Sequence, residues 1–536
     1  MAPPAPALLL GFAALCTAAS SAAPPNLLLL FPDQWRHDWT PLNPALPALS
    51  MPTFAALLSQ GTHFPYATVP SPLCAPSRAC LVSGREYDEA GVPDNFTRDY
   101  PLNQTTFYTL LREAGYHVMT SGKDDLTKAS GPGLDGSFHA AALGFSAWAR
   151  AAGKQDAVNR GAPFEPYGVY CAARNTTVDG RVESLWDVLR GDLAHSCTAA
   201  AAMPGGYDCS TASPMPQFAY EDDYVAANAL ALLAARPAGA PWLLHVSFPG
   251  PHPPFVATAG MLNATRSDDF PLAVNNTATP AAAQLGARRA YAAELENLDA
   301  LFARVLAGVA AADAADGSTT LIVVASDHGE MLGDLGDWGK TMPWQGSASV
   351  PLLFVGPALG VRAGAAVAAP VTTLDIAGTL LDFAGVARAP GMTTQSLRPA
   401  LVAGAPPARA TVSSGLASWR AVLDTPPANA SAIFKLVCCR GPCPGGDGAP
   451  FVGGDARDYA GVVGGGAAAG AGAAAGGAGG ARATAGDSAA FVAQLFDVVA
   501  DPFDRFDIAA AHPQAVVRMK ALLPPGWCGS SGGGRA

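Results

Sequence analysis

Four short apolar runs stand out along the chain: Asn26–Phe31, Tyr116–Thr120, Trp242–Phe248 and Thr319–Ala325. Each is β-rich and apolar without alternation, which predicts strands buried on both faces. Segments of helical period lie between them. Thr53–Gln60 and Thr105–Ala114 predict helices that follow the first strand and precede the second. Tyr291–Ala310 carries apolar residues at helical spacing with polar ones opposite, so it predicts an amphipathic helix laid over a sheet. Strands that alternate with helices predict an α/β fold around a large, mostly parallel central sheet.

The residues that end the runs matter more than the runs. Asn26–Phe31 leads into Asp33 and Gln34, Tyr116–Thr120 into Lys123, Trp242–Phe248 into His252, and Thr319–Ala325 into Asp327 and His328. In open α/β sheets, ligands bind beyond the carboxyl ends of the strands. Polar loops explain one such case easily and four together poorly. The pattern predicts one rim that gathers metal-type and cationic side chains. Past about Pro399 the texture changes. Gly453–Ser488 is dominated by Gly and Ala and cannot offset its ordering entropy, so it reads as a disordered insertion. Order is expected again at Phe491–Val499. The expected organisation is a leader at 1–23, a large domain at 24–400, and a small C-terminal subdomain at 401–536 that the insertion, about 453–488, interrupts.

Composition adds bounds. The 536 residues are half apolar, enough for a sizeable core. Net charge is −11, and no basic block exists, which argues against nucleic acid as a partner. An acidic chain that handled an anion would have to concentrate its few cations locally. Leu8–Leu15 followed by Ser21-Ala22-Ala23 reads as a signal peptide. Sequons at Asn95, Asn103, Asn175, Asn263, Asn275 and Asn429 fit the secretory pathway, with a secreted or lysosome-like destination. No later segment is apolar for long enough to span a membrane. Of ten cysteines, Cys16 leaves with the leader and Cys74 stands apart. Cys80, Cys171, Cys197, Cys209, Cys438, Cys439, Cys443 and Cys528 form an even set that fits disulfides. The Cys438–Cys443 cluster reads as disulfide rather than metal site, because no His or second Cys pair lies near it.

Cys74 opens the string Cys74-Ala75-Pro76-Ser77-Arg78, followed downstream by Gly84-Arg85. A second string runs Ser326-Asp327-His328-Gly329-Glu330 and on to Trp338-Gly339-Lys340. Lys123 sits in Ser121-Gly122-Lys123, and His252 in Pro251-His252-Pro253-Pro254-Phe255. Together these motifs resemble the type I sulfatases, over about Pro25 to Pro513 with the Gly/Ala insertion excluded. The resemblance implies an alkaline-phosphatase-like fold, with a large central sheet between helices and a small C-terminal antiparallel sheet. It implies that Cys74 is oxidised to formylglycine by a formylglycine-generating enzyme during maturation. An aldehyde hydrate offers two hydroxyls on one carbon, one to attack sulfur and one to release the sulfate afterwards.

The remaining roles follow from the same resemblance. Arg78, Lys123 and Lys340 would hold the sulfate and hydrate, and His252 would serve as the acid. Lys123, His252 and Lys340 would touch the substrate. Asp33, Gln34, Cys74, Asp327 and His328 would hold one calcium ion, which an oxygen-rich set suits. The chain departs from the pattern at Gln34, where many members carry Asp, and at Asp124-Asp125, where many carry Trp-His. Asp125 after Lys123 is similar to arylsulfatase K-type members, and a sulfated glycan, such as a uronate 2-sulfate, or a small-molecule sulfate ester is the implied substrate. Gln345 and Ser349 stand where Glu and Arg are common. Two competing readings remain: a phosphodiesterase or phosphonate monoester hydrolase of the same superfamily, and an inactive glycan-binding relative.

Overall fold

The structure, a computed structural model, describes residues 23–127, 139–154, 157–158, 165–198, 212–265, 269–426, 431–441, 443 and 491–529. The expected leader (Ala23 apart) and the Gly/Ala insertion lie outside the described residues.

The four predicted strands form the centre of one sheet. Its order is Ala365–Ala366, Gly61–His63, Leu352–Val355, Thr320–Ala325, Asn26–Leu30, Trp242–Ser247, His117–Gly122 and Ala147–Arg150. Asn26–Leu30 runs parallel to both neighbours, and Leu28 stands level with Leu244 on one side and Ile322 on the other. Leu352–Val355 runs antiparallel to the strands on either side. The outer strands escaped the sequence reading because two to four residues give too short a pattern.

Side chains of the central strand alternate between two cores, which explains its unbroken run of buried residues. Leu28 and Leu30 join one cluster, covered by helices Glu221–Ala235 and Ala281–Asp316. Leu27 and Leu29 join the other, covered by helices Cys74–Ser83 and Asp375–Phe383. Each buried leucine stabilises the fold by about 1.5–3 kcal/mol. The central strand is therefore fixed from both faces, and its carboxyl end is a firm platform.

The predicted helices occur at Pro52–Gln60 and Phe107–Glu113. Thr106 caps the second, its Oγ1 accepting from the Thr109 amide at 3.0 Å. The helix expected at Tyr291–Ala310 is longer, spanning Ala281–Asp316. Its Ala-rich ends carry the helix through Gly286 and Gly308, and Gly317 closes it at φ 63°. The C-terminal strands Thr411–Leu416, Trp419–Asp424, Phe434–Arg440 and Phe491–Asp497 form an antiparallel sheet in chain order. Helix Pro513–Lys520 packs on it through Met519. Among the described residues no helix is long and apolar enough to cross a membrane.

The cysteine expectation needs correction. Cys438 pairs with Cys528, and Cys439 with Cys443. Cys80 and Cys171 are free and buried. Cys80 packs as a small apolar side chain among Phe107, Leu111 and Leu381. Burial pushes both thiols up, Cys171 to about 12, so neither is a reactive thiolate. The described side chains do not include Cys197 or Cys209.

One sequon also reads differently in three dimensions. Asn103, Asn175, Asn263 and Asn275 are exposed. Asn95 is buried, and its Oδ1 accepts from the Ala75 amide at 2.9 Å, at the start of the Cys74 helix. A glycan on Asn95 is incompatible with this packing. Peptide mass spectrometry of protein from a glycosylating host is expected to find Asn95 bare, whatever the occupancy of the exposed sequons. A glycosylated Asn95 in active protein would show the packing to be wrong.

Candidate active site

The carboxyl ends of four adjacent strands deliver the predicted rim. Asn26–Leu30 is followed by Asp33 and Gln34, Thr320–Ala325 by Asp327 and His328, Trp242–Ser247 by His252, and His117–Gly122 by Lys123. Helix Cys74–Ser83 points its first residue at this rim. The helix is buried throughout, and Gly84 ends it at φ 61°. Its positive N-terminal end favours an anion at position 74.

Asp33, Cys74, Asp327 and His328 are all buried, and their ligand atoms lie within 4.8 Å of one another. His328 Nε2 is 3.2 Å from Cys74 Sγ and 3.5 Å from Asp33 Oδ1. His328 Nδ1 lies 3.1 Å from Gly329 O. A carbonyl only accepts, so Nδ1 carries the hydrogen, and the tautomer turns Nε2 toward the cluster. Asp33 Oδ1 is buried and has no hydrogen-bond partner. An orphaned carboxylate oxygen facing a second carboxylate and an imidazole is what a cation site presents. The residues therefore fit a divalent metal.

Gln34 is held at both ends of its amide. Its nitrogen donates to the Glu330 carboxylate, and its oxygen accepts from Lys340 Nζ at 3.0 Å. This orients Oε1 toward the cluster at a residue with φ 69°. Glu330 is the residue the sequence reading passed over, although it stands inside the second motif. The same carboxylate accepts from the amides of Leu332 and Gly339, so it ties Gln34 to the loop that carries Lys340.

Arg78 directs its guanidinium into the site's framework. It donates to Asp327 Oδ2 at 2.9 Å, Asp33 Oδ2 at 3.2 Å and Ser247 Oγ at 2.7 Å. Its place is therefore to brace the two carboxylates. Lys123 Nζ lies 2.6 Å from Asp33 Oδ2, 3.1 Å from Asp125 Oδ2 and 3.8 Å from Cys74 Sγ. Lys340 Nζ lies 3.0 Å from Cys74 Sγ and 2.7 Å from His252 Nε2. All nine predicted residues thus converge on one centre. Ser247, which holds Arg78, gave no signal in the sequence beyond ending a strand.

The charges set the protonation states. Burial alone would push Asp33 up, but Lys123, and then His328 and Arg78, hold it well below the usual carboxylate range. Burial and Asp33 push the Cys74 thiol up, while Lys123, Lys340 and His328 outweigh them and bring it to about 6. Burial, then Lys340 and Lys123, lower His252 to about 3, so at neutral pH it accepts the Lys340 hydrogen. The local concentration of cations expected of an acidic chain is present.

Gln345 and Ser349 face each other, with Ser349 Oγ donating to Gln345 Oε1 at 2.9 Å, both buried. Both positions departed from the motif together, and a neutral hydrogen-bonded pair occupies them.

A buried cluster that fits a divalent metal, with two lysines and a cysteine beside it at the rim of a mixed α/β sheet, is the arrangement of a hydrolase that handles an anionic ester. Residues 25–386 match the family model Sulfatase, and the chain belongs to that family of sulfatase enzymes. It is 27% identical to the choline-sulfatase of Rhizobium meliloti (strain 1021), over 68% of this chain and 68% of that protein. It is 25% identical to the arylsulfatase K of Danio rerio, over 70% of this chain and 67% of that protein. Among solved structures, the phosphonate monoester hydrolase of Agrobacterium radiobacter superposes with a TM-score of 0.65 at 19% identity, covering 93% of this chain and 94% of its own. A structure holding its substrate D-glucosamine-2-N,6-O-disulfate superposes with a TM-score of 0.58 at 17% identity, covering 92% and 96%. These superpositions show the fold.

Proposed function

We propose that the protein hydrolyses a sulfate ester with residue 74, matured to formylglycine, as the nucleophile and one calcium ion held by Asp33, Gln34, Asp327, His328 and residue 74. The observation that carries this reading is the position of Lys340. Its ammonium lies between Cys74 Sγ and His252 Nε2, at 3.0 and 2.7 Å. Nucleophile and acid therefore flank a single cation.

Formylglycine, as its hydrate, supplies one hydroxyl to attack sulfur and a second to release the sulfate, while a divalent metal neutralises charge on sulfate oxygen. This chain's residues do the rest. Lys123 and Lys340 bind non-bridging oxygens of the sulfate and offset charge that builds there. Arg78 and Glu330 hold the metal-binding side chains. His252 stays neutral while the lysines dominate its surroundings. A bound anion opposes the lysines, so His252 gains a proton as substrate binds and can donate it to the departing oxygen. Asp125, paired with Lys123 at 3.1 Å, suits a sugar hydroxyl.

We take a sulfated carbohydrate as the substrate class and a uronate 2-sulfate as the particular candidate. The arylsulfatase K likeness and the named substrate of the glucosamine disulfate complex support this choice. The secretory pathway and a formylglycine-generating enzyme complete the reading. The intact Cys74, Asp327, His328 and Lys340 weigh against an inactive glycan-binding relative.

Mass spectrometry of the peptide containing residue 74 tests the nucleophile. Conversion removes one sulfur and two hydrogens and adds one oxygen. A free thiol or disulfide at 74 in active protein overturns the mechanism. Rates on an aryl sulfate and an aryl phosphate diester test the class of ester. Sulfate turnover is expected to dominate, and dominant diester turnover would place the protein with the phosphonate hydrolases instead.

A further inference from the structure

The loop that delivers His252 rests on a buried polar network that no step above uses. Asp222, in the first turn of helix Glu221–Ala235, is fully buried. Its Oδ1 accepts from the Gly250 amide at 2.9 Å. The carbonyl of that same Gly250 accepts at 3.2 Å from the Asp33 amide, which it shares with Phe248 O at 2.9 Å. One residue of the loop is therefore gripped by Asp222 and grips Asp33.

The downstream end of the loop is held as well. Lys154 is buried and donates to Tyr220 Oη at 2.6 Å, to Glu294 Oε1 at 3.0 Å and to Pro254 O at 3.5 Å. Glu294 also accepts from the Val256 amide. The residue type at 250 follows from the approach of Asp222. A Cβ on Gly250 would lie 2.4 Å from Asp222 Oδ2, far inside contact distance. Glycine at 250 and a carboxylate at 222 are matched.

We propose that Asp222 is a positioning residue, which through Gly250 sets both the His252 loop and Asp33 in register at the rim. The proposal rests on the role given to His252 above. A loop is softer than a strand end, and an acid must be placed to a fraction of an ångström. Asp222 supplies from a helix the rigidity that the loop lacks.

The test uses the mature full-length protein, an aryl sulfate, and amide hydrogen exchange of the peptide spanning residues 248–256. Asp222→Ala is expected to lower kcat on the order of a hundredfold with KM little changed, and to speed exchange in that peptide. Asp222→Asn keeps an acceptor for the Gly250 amide and is expected to retain most of kcat. Gly250→Ala displaces the carboxylate and is expected to reproduce the loss. Wild-type kcat and exchange in Asp222→Ala overturn the proposal, as does equal loss in the Ala and Asn variants. If Asp222→Ala does not fold, Gly250→Ala decides, and wild-type behaviour there overturns it. If the wild-type protein turns over no sulfate ester, the functional reading falls, and exchange alone decides the clamp: faster in Asp222→Ala supports it, unchanged overturns it.

Discussion

Cys74→Ala is expected to reduce sulfate-ester turnover by at least about 10⁴-fold, the scale on which loss of a nucleophile acts. The fold should survive. Position 74 opens a helix whose core contacts come from Ala75, Ala79, Leu81 and Val82, and alanine is a good helix former. Lys340 keeps Gln34 and His252 as partners, and Lys123 keeps Asp33 and Asp125. Cys74→Ser separates the two halves of the reaction. Its single hydroxyl can attack sulfur, release the alcohol and become a serine sulfate ester. No second hydroxyl remains on that carbon to expel the sulfate. The expected result is one equivalent of alcohol per protein and a serine peptide heavier by SO3. Sustained turnover by the alanine variant would remove residue 74 from the chemistry.

The second large effect concerns the cation. Stripping divalent metal from the mature protein with a chelator is expected to abolish turnover and lower the thermal midpoint, and calcium is expected to restore both. The reason lies in Asp33 Oδ1, a buried oxygen with no hydrogen-bond partner beside the Asp327 carboxylate. A ligand present at 1,000 times its Kd stabilises the folded state by about 4 kcal/mol. Asp33→Asn should lose the calcium-dependent shift, because the amide places a donor or a neutral oxygen where charge is needed. The midpoint is read without substrate, so it isolates binding from catalysis. A midpoint indifferent to chelator and calcium would show that the four residues hold no metal.

The parts of the site legible in the sequence were those governed by local order. A buried strand announces itself by its apolar run, and the next few residues must sit at its carboxyl end. That rule placed Asp33, Gln34, Lys123, His252, Asp327 and His328 at one rim, and the sulfatase resemblance added Cys74, Arg78 and Lys340. Pairings across the chain were not legible. Glu330 reaches Gln34 over a separation of 296 residues, and no periodicity encodes such a contact. Arg78 was expected at the hydrate, yet its donors go to Asp33, Asp327 and Ser247. Cys80 was counted toward disulfides because parity ignores packing. Gln345 and Ser349 carry no assigned role in the sequence, and their contact belongs to the fold.

The C-terminal sheet has a consequence for how the chain can change over generations. Phe434–Arg440 and Phe491–Asp497 are paired residue by residue, and Arg440 stands opposite Phe491. Cys439–Cys443 and Cys438–Cys528 fasten the same end. The two strands that flank residues 444–490 in the sequence are thus held together at their near ends. The entropy of closing such a connection grows only with the logarithm of its length. Gly- and Ala-coding stretches between them can lengthen or shorten without shifting the strand register, and without moving the Asp504 carboxylate, which accepts from Lys435 and from the Gln345 amide. That end of the sheet is a place where the gene can drift in length while the enzyme keeps its shape.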